Sequence, residues 1–308
     1  MKSSKLFGVI PPVGTPLTPE GKVDVPSLRR LTRYMLDAGC HGLFANGSMS
    51  GFAFLTDTEQ LRAIETVVDV AEGKIPVMAG LGEMSTVRAT QRAKEISSLG
   101  VSHLTLLSPI FYLAQQEHLL RYFSDIAAAT DLPVILYDNP VLTKNPIHPE
   151  TIAELRCKVP NFVGVKESNQ DCINLQHLLD LMKDDQSFSI LTGSESLIVV
   201  GLQMGVDGCV GGIHNICPQV AVNLYNAFVR GDIAAALQYQ RILTEICAIF
   251  KYGNVWGGYE EALRYLGICE RAAGEPYVTA LTNTEKQEVR AILSRHLVPL
   301  NVTSYGIL

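Results

Sequence analysis

No two cysteines in this chain stand in Cys-x-x-Cys spacing, although seven are present, at 40, 157, 172, 209, 217, 247 and 269. An odd, scattered set speaks against a disulfide framework and fits reduced thiols in a cytoplasmic protein. His214 and Cys217 have a spacing seen in metal sites, but no second pair completes it, so no metal is expected. No uncharged run is both long and apolar enough to cross a bilayer. The opening residues 1–12 lack the apolar stretch and small-residue cleavage site of an export signal. Positive charge is scarce: 25 Lys and Arg against 31 Asp and Glu leave a formal charge of -6. Neither nucleic acid nor a membrane surface is an expected partner on that balance. No short repeat or low-complexity stretch occurs, and no Gly-x-Gly-x-x-Gly follows the first apolar run. The last absence removes the usual mark of a dinucleotide-binding open sheet.

What the chain does have is apolar mass, with 47% hydrophobic against 18% charged residues, enough for a substantial core. Short apolar runs alternate with longer amphipathic ones. Strands are expected over 6–13, 42–46, 76–81, 103–108, 133–137, 162–166, 188–192 and 208–213. The helices between them are expected over 25–38, 57–71, 86–98, 117–129, 149–155, 173–182, 197–204 and 218–229. The strands are mostly apolar rather than alternating, as when both faces are covered. Eight such units predict a (β/α)₈ TIM barrel over residues 1–230, with a doubly wound open sheet as the runner-up. Beyond that the pattern turns helical, over 233–250, 259–266 and 284–296. A C-terminal helical extension, 231–308, is therefore expected to pack on the barrel.

Barrel chemistry sits at the carboxyl ends of the strands. Residues 161–168, Asn-Phe-Val-Gly-Val-Lys-Glu-Ser, carry an amine at the exit of an apolar strand, where an unpaired ammonium is costly. Period-two alternation puts Phe162, Gly164 and Lys166 on one face, and Ile135 with Tyr137 on one face of the preceding strand. If both faces point inward, a phenol and an amine meet in a dry interior. A neutral lysine there adds to a ketone to form an iminium, an electron sink for the neighbouring carbon–carbon bond. The phenol can shuttle the protons. A turn at Gly47-Ser48-Met49-Ser50-Gly51 offers backbone N–H groups and hydroxyls for a carboxylate, and Gly211-Gly212 leaves room at the barrel mouth. The plainer alternative, a surface lysine just past a strand and a half-buried packing tyrosine, stays open on these residues alone.

Gly47-Ser48-Met49-Ser50-Gly51, Tyr137-Asp138-Asn139-Pro140 and Gly164-Val165-Lys166-Glu167-Ser168 resemble the dihydrodipicolinate synthase / N-acetylneuraminate lyase family. The similarity extends from Thr15-Pro16 to Val255-Trp256-Gly257-Gly258. It implies a TIM barrel assembled as a homo-oligomer, a tetramer or dimer, and acting as a class I aldolase on pyruvate or a related 2-oxo acid without a cofactor. By the same resemblance Lys166 is the Schiff-base lysine, Tyr137 the proton relay and Ser48 the hydroxyl beside the pyruvyl carboxylate. Val210 would contribute a backbone carbonyl.

The chain also departs from the family. Met49 stands where a second hydroxyl is usual, and Ser50-Gly51 where Gly-Glu is common. Phe111 takes the place of an aromatic hydroxyl, with Tyr112 one residue late, and Leu142 replaces the arginine that in the synthases holds the aldehyde's carboxylate. A nearby lysine such as Lys144 would replace that bidentate anchor poorly. Met49, Phe111 and Leu142 therefore predict a less polar second-substrate pocket, and Glu195 is placed to contact hydroxyls of a sugar-derived aldehyde. The expected reaction is reversible cleavage of a 2-oxo acid, a 2-oxo-3-deoxy sugar acid or similar, to pyruvate and an aldehyde. The lysine-biosynthetic condensation giving 4-hydroxy-tetrahydrodipicolinate, and a silent 2-oxo-acid-binding protein, are the alternatives.

Overall fold

Buried strands alternating with one-sided helices close into a ring, as the pattern requires. The computed structural model describes residues 5–297. Its strands are β1 (Gly8–Val9), β2 (Leu43–Ala45), β3 (Val77–Leu81), β4 (His103–Leu107), β5 (Val134–Asp138), β6 (Phe162–Glu167), β7 (Ser189–Thr192) and β8 (Gly208–Cys209). All ladders are parallel, in the order β1-β8-β7-β6-β5-β4-β3-β2. The ring closes between β1 and β2 through one bridge, Pro12 to Phe44. There Phe44 N–H donates to Pro11 O at 2.9 Å and Val13 N–H donates to Phe44 O at 2.8 Å.

Between and around the strands run α1 (Val25–Asp37), α2 (Asp57–Ala71), α3 (Thr86–Ser97), α4 (Gln116–Ala127), α5 (Pro140–Thr143), α6 (Pro149–Lys158), α7 (Cys172–Met182), α8 (Ile198–Met204) and α9 (Pro218–Val229). The first strand is shorter than its apolar run because Pro11 and Pro12 have no N–H to continue a ladder. The last is cut at Cys209, and a 3₁₀ turn at Gly212–Asn215 takes over. The one-turn α5, absent from the sequence reading, starts on Pro140 and is capped by Asn139, whose side chain accepts from Leu142 N–H.

Two apolar layers result. Ile10, Phe44, Met78, Leu107, Ile135, Val163 and Leu191 fill the barrel interior with Tyr137. A larger cluster joins the outer strand faces to the helices. The expected alternation of β6 fails at its start. Val134 pairs with Phe162 but Ile135 pairs with Gly164, so Val163 is an extra residue and the register shifts. That bulge turns Phe162 to the helix layer and Val163 inward, while Lys166 keeps its inward place.

After the turn at Arg230–Gly231 come α10 (Ile233–Cys247), α11 (Trp256–Tyr265) and α12 (Asn283–Leu297). Arg290 on α12 is paired with the buried Glu261 of α11 at 2.6 Å. Gln240 of α10 donates to Glu195 O at 2.8 Å, tying these helices to the loop after β7. Residues 298–308 of the expected extension lie outside the described residues.

Candidate active site

Lys166 belongs to β6 itself, opposite Tyr137 in register, and is only 3% exposed. The alternative of a surface lysine is thereby removed. Its Nζ lies 3.8 Å from the centroid of the Tyr137 ring and 5.2 Å from that of Phe44. Ring faces carry partial negative charge and are the amine's immediate surroundings. Phe44 went unnoticed in the sequence because an apolar residue in a barrel strand carries no chemical signal.

The Tyr137 hydroxyl lies 3.0 Å from Ser48 Oγ, and Asn139 Nδ2 donates to the phenolic oxygen at 2.9 Å. Burial opposes ionisation of this phenol, but the charge of Lys166 and the hydrogen bonds from Ser48 and Asn139 outweigh it. The balance holds the phenol below its ordinary pKa. Asn139 therefore serves both as cap of α5 and as donor to the phenol. The Tyr-Asp-Asn-Pro order was visible in the sequence, but only the turn into α5 brings that amide back over residue 137.

The turn after β2 is less open than its composition suggests. Ser50 Oγ donates to Val13 O and accepts from Gly47 N–H at 3.0 Å, so its hydroxyl is spent on backbone. Gly47 O accepts from Ser50 N–H at 3.1 Å, and a Cβ on Gly47 would meet the Phe44 ring at 2.8 Å. Neither the Ser48 nor the Met49 N–H is used in these turn bonds. Ser48 thus joins Lys166 and Tyr137, while Ser50 holds the turn together.

At the β7 and β8 mouth, Glu195 Oε1 accepts from Gly212 N–H at 2.6 Å. A Cβ on Gly212 would lie 3.1 Å from Met49 Sδ, and one on Gly211 would lie 2.7 Å from the Glu195 side chain. Gly211 and Gly212 are small because Glu195, Met49 and His214 crowd them, a reason beyond the expected room for substrate. Val210 is inward-facing in the interior cluster. His214 is fully buried and accepts from Gly211 N–H at 3.2 Å. Burial, with the charge of Lys166 adding, pushes its pKa down to about 3, so the imidazole is neutral at ordinary pH.

Three of the expected substrate-binding residues are exposed on the loops after β4 and β5. Phe111 is 80% exposed with φ +87°, Tyr112 packs edge-on against it, and Leu142 is 52% exposed. Their loops are pinned by a residue not singled out in the sequence. Asn145 donates to Pro109 O at 2.7 Å and Tyr112 O at 2.9 Å, and accepts from Ala114 N–H at 2.8 Å. Lys144 turns back on its own loop, with Nζ donating to Val141 O at 2.8 Å.

A profile of the dihydrodipicolinate synthetase family matches residues 5–296. A 4-hydroxy-tetrahydrodipicolinate synthase of Methanopyrus kandleri is 34% identical, covering 98% of this chain and 99% of its own. A DapA-like lyase of Halobacterium salinarum is 33% identical over 85% of each chain. Escherichia coli YagE, provisionally named a 2-dehydro-3-deoxy-D-gluconate aldolase, is 29% identical over 96% of this chain and 99% of its own. The crystal structure of YagE in complex with pyruvate superposes with a TM-score of 0.89 at 26% identity, covering 94% of this chain and 98% of that one. With a TIM barrel, a buried strand-end lysine facing a tyrosine, and a profile match over nearly its whole length, this chain belongs to the dihydrodipicolinate synthetase family.

Proposed function

We propose that the protein is a Schiff-base-forming class I aldolase that cleaves a 4-hydroxy-2-oxo acid to pyruvate and an aldehyde, and runs the reverse condensation. The observation that carries this reading is the Lys166 amine, enclosed by the barrel and set against the Tyr137 ring. In its unprotonated form that amine adds to the C2 carbonyl. Tyr137 delivers a proton to the carbinolamine hydroxyl, which departs as water and leaves the iminium. The phenolate left on Tyr137 then takes the C4 hydroxyl proton as the C3–C4 bond breaks. Its electron pair flows into the iminium to give an enamine, and the aldehyde leaves. Protonation at C3 and hydrolysis release pyruvate and regenerate the amine. Ser48 orients the phenol and faces the substrate carboxylate, and the Val210 carbonyl lies beside the reacting carbons. No resident cofactor enters these steps.

The aldehyde side favours an uncharged, hydroxylated partner. Leu142 offers no cation, Lys144 is engaged with Val141, and Glu195 presents a carboxylate at the mouth. A carboxylate-bearing semialdehyde would meet an anion there without a counter-ion. The provisional sugar-acid aldolase name of YagE agrees with this preference, while the kinship with the Methanopyrus kandleri synthase keeps the lysine-biosynthetic condensation as the second reading. Measuring pyruvate release from a panel of 2-oxo-3-deoxy sugar acids, beside condensation of pyruvate with the amino-semialdehyde, separates them. Turnover confined to the semialdehyde would reverse the assignment, and pyruvate binding without either reaction would mark a silent binding protein.

We take residues 1–230 as the catalytic barrel and 231–308 as its helical extension, working in the cytoplasm; no helix among the described residues is long and apolar enough to span a membrane. The assembly we propose is a homo-oligomer, a dimer or tetramer, with the β4 and β5 loops at a subunit contact. Phe111, Tyr112, Leu113, Val141 and Leu142 are all more than half exposed there, more apolar surface than a free monomer usually leaves on two neighbouring loops.

A further inference from the structure

The chemistry above assigns no role to the C-terminal helices, yet two aromatic rings from that part of the chain reach the segment that carries Ser48. The Ser48 turn passes directly into a second one: Gly51 N–H donates to Ser48 O at 3.0 Å, and Phe54 N–H donates to Gly51 O at 2.8 Å. Gly51 is left-handed, with φ +66°, and a Cβ there would lie 2.7 Å from the Phe54 ring. On its other side Phe54 is enclosed by residues from the far end of the chain. The Trp256 ring, at the start of α11, meets it edge-on with centroids 4.9 Å apart. The Tyr277 ring, in the link between α11 and α12, lies 5.1 Å away and tilted by 32°. A Cβ on Gly274 would lie 2.5 Å from the Phe54 Cβ, so the link runs hard against that side chain.

We propose that Phe54, gripped by Trp256 and Tyr277, is a positioning residue that holds the Ser48 turn, and through the Ser48 hydroxyl the Tyr137 phenol, in its reactive place. Ser50 fixes the entry of that turn by its bonds to Val13 O and Gly47 N–H, and Phe54 fixes its exit. Ser48 Oγ stands 3.0 Å from the Tyr137 hydroxyl, and such a bond weakens steeply when it is stretched or bent. Tyr277 is 52% exposed, so its contact with Phe54 adds little to the core. The same helix supports a second loop of the site. Trp256 packs edge-on against Tyr259 at 6.1 Å, and a Cβ on Gly14 would lie 1.9 Å from the Tyr259 hydroxyl. Gly14 N–H in turn donates to Asn215 Oδ1 at 2.8 Å, and Asn215 Nδ2 donates to Gly212 O at 2.8 Å. The aromatic pair on α11 thus reaches the turn after β2 through Phe54 and the turn after β8 through Gly14. Its placement carries strain: Asn254 and Val255 have φ +52° and +74°, a region that a β-branched residue rarely adopts. Strain of this kind persists only where the surroundings fix it, and here it sets Trp256 on Phe54.

The kinetic consequence rests on the Schiff-base reading and the structural one does not, so both are measured, on full-length protein. In Tyr277→Ala, and in Phe54→Ala where it folds, hydrogen exchange read by mass spectrometry should quicken about tenfold or more over 47–55 and stay within about twofold over β5 and β6. Unchanged exchange over 47–55 overturns the grip. Faster exchange throughout the barrel marks a general loss of stability and overturns the positioning role as well. The rate at which borohydride traps pyruvate on Lys166 should fall about fivefold in Tyr277→Ala, and Tyr277→Phe, which keeps the ring, should restore it to within about twofold. In a Ser48→Ala background, Tyr277→Ala should lower that rate by less than about twofold, because its effect passes through the missing hydroxyl. An equal loss in both backgrounds overturns the route through Ser48. If the unaltered protein traps no pyruvate, the Schiff-base reading fails and the exchange result alone decides the grip.

Discussion

Tyr137 carries the proton chemistry of the proposed reaction, which makes it the sharpest single-residue test. Its oxygen meets Ser48 and Asn139 within 3.0 Å, and the Lys166 charge draws its pKa down against the effect of burial. Removing only the hydroxyl, as Tyr137→Phe, leaves the ring under the amine and takes away the proton carrier. Steady-state kinetics should show kcat lower by roughly 10²- to 10³-fold with KM changed far less. An unchanged kcat would mean that another group moves the proton. At this scale the sequence was informative where chemistry is rare: an amine at the exit of an apolar strand and a tyrosine in phase on its neighbour. It was silent where chemistry is ordinary. Phe44 beneath the amine and Asn145 across the rim loops are residue types found everywhere, and their roles come from distances that only the folded chain sets. Ser50 misled for a related reason, since a hydroxyl in a glycine turn looks free until the turn closes on it.

Among the elements, β5 and β6 do most to shape the site. Alternation placed Tyr137, Gly164 and Lys166 correctly but missed the bulge at Val163, because one extra residue leaves no mark in a run that is apolar on both faces. The neighbouring outward positions predict how stability varies with pH. Asp138 and Glu167 each have a folded pKa of about 7, raised by burial from ordinary carboxyl values. Between about pH 4 and 7 the folded protein keeps protons that the unfolded chain has lost. Stability is therefore greatest below the unfolded pKa and declines as pH rises to about 7, by about 1.4 kcal/mol per pH unit for each group. Above that both forms are ionised and these groups add no further slope. Denaturant melts across this window should show the decline, and Asp138→Asn should flatten it by about one group's share. An equal slope in the variant would mean that Asp138 ionises normally in the folded protein.

For the whole molecule, the eightfold alternation and the apolar strands made the barrel readable, since a sheet covered on both sides by helices has few closed solutions. Strand lengths were less readable: prolines at 11 and 12 and the 3₁₀ turn after Cys209 shorten β1 and β8, so the ring closes through the single Pro12–Phe44 bridge. The rim aromatics also make a prediction at this scale. Phe111→Asp places a charge where a second copy would bury apolar surface, and sedimentation velocity should show the dimer or tetramer falling apart toward monomer. A monomeric unaltered protein would contradict the assembly and leave those side chains unexplained. The whole reaction depends on one amine inside the ring. Incubating the protein with pyruvate, reducing with borohydride and weighing the digested peptides should give one added reduced pyruvyl group, on the peptide carrying Lys166 and lost in Lys166→Ala. No adduct at saturating pyruvate, or an adduct on another lysine that persists in Lys166→Ala, would contradict the account.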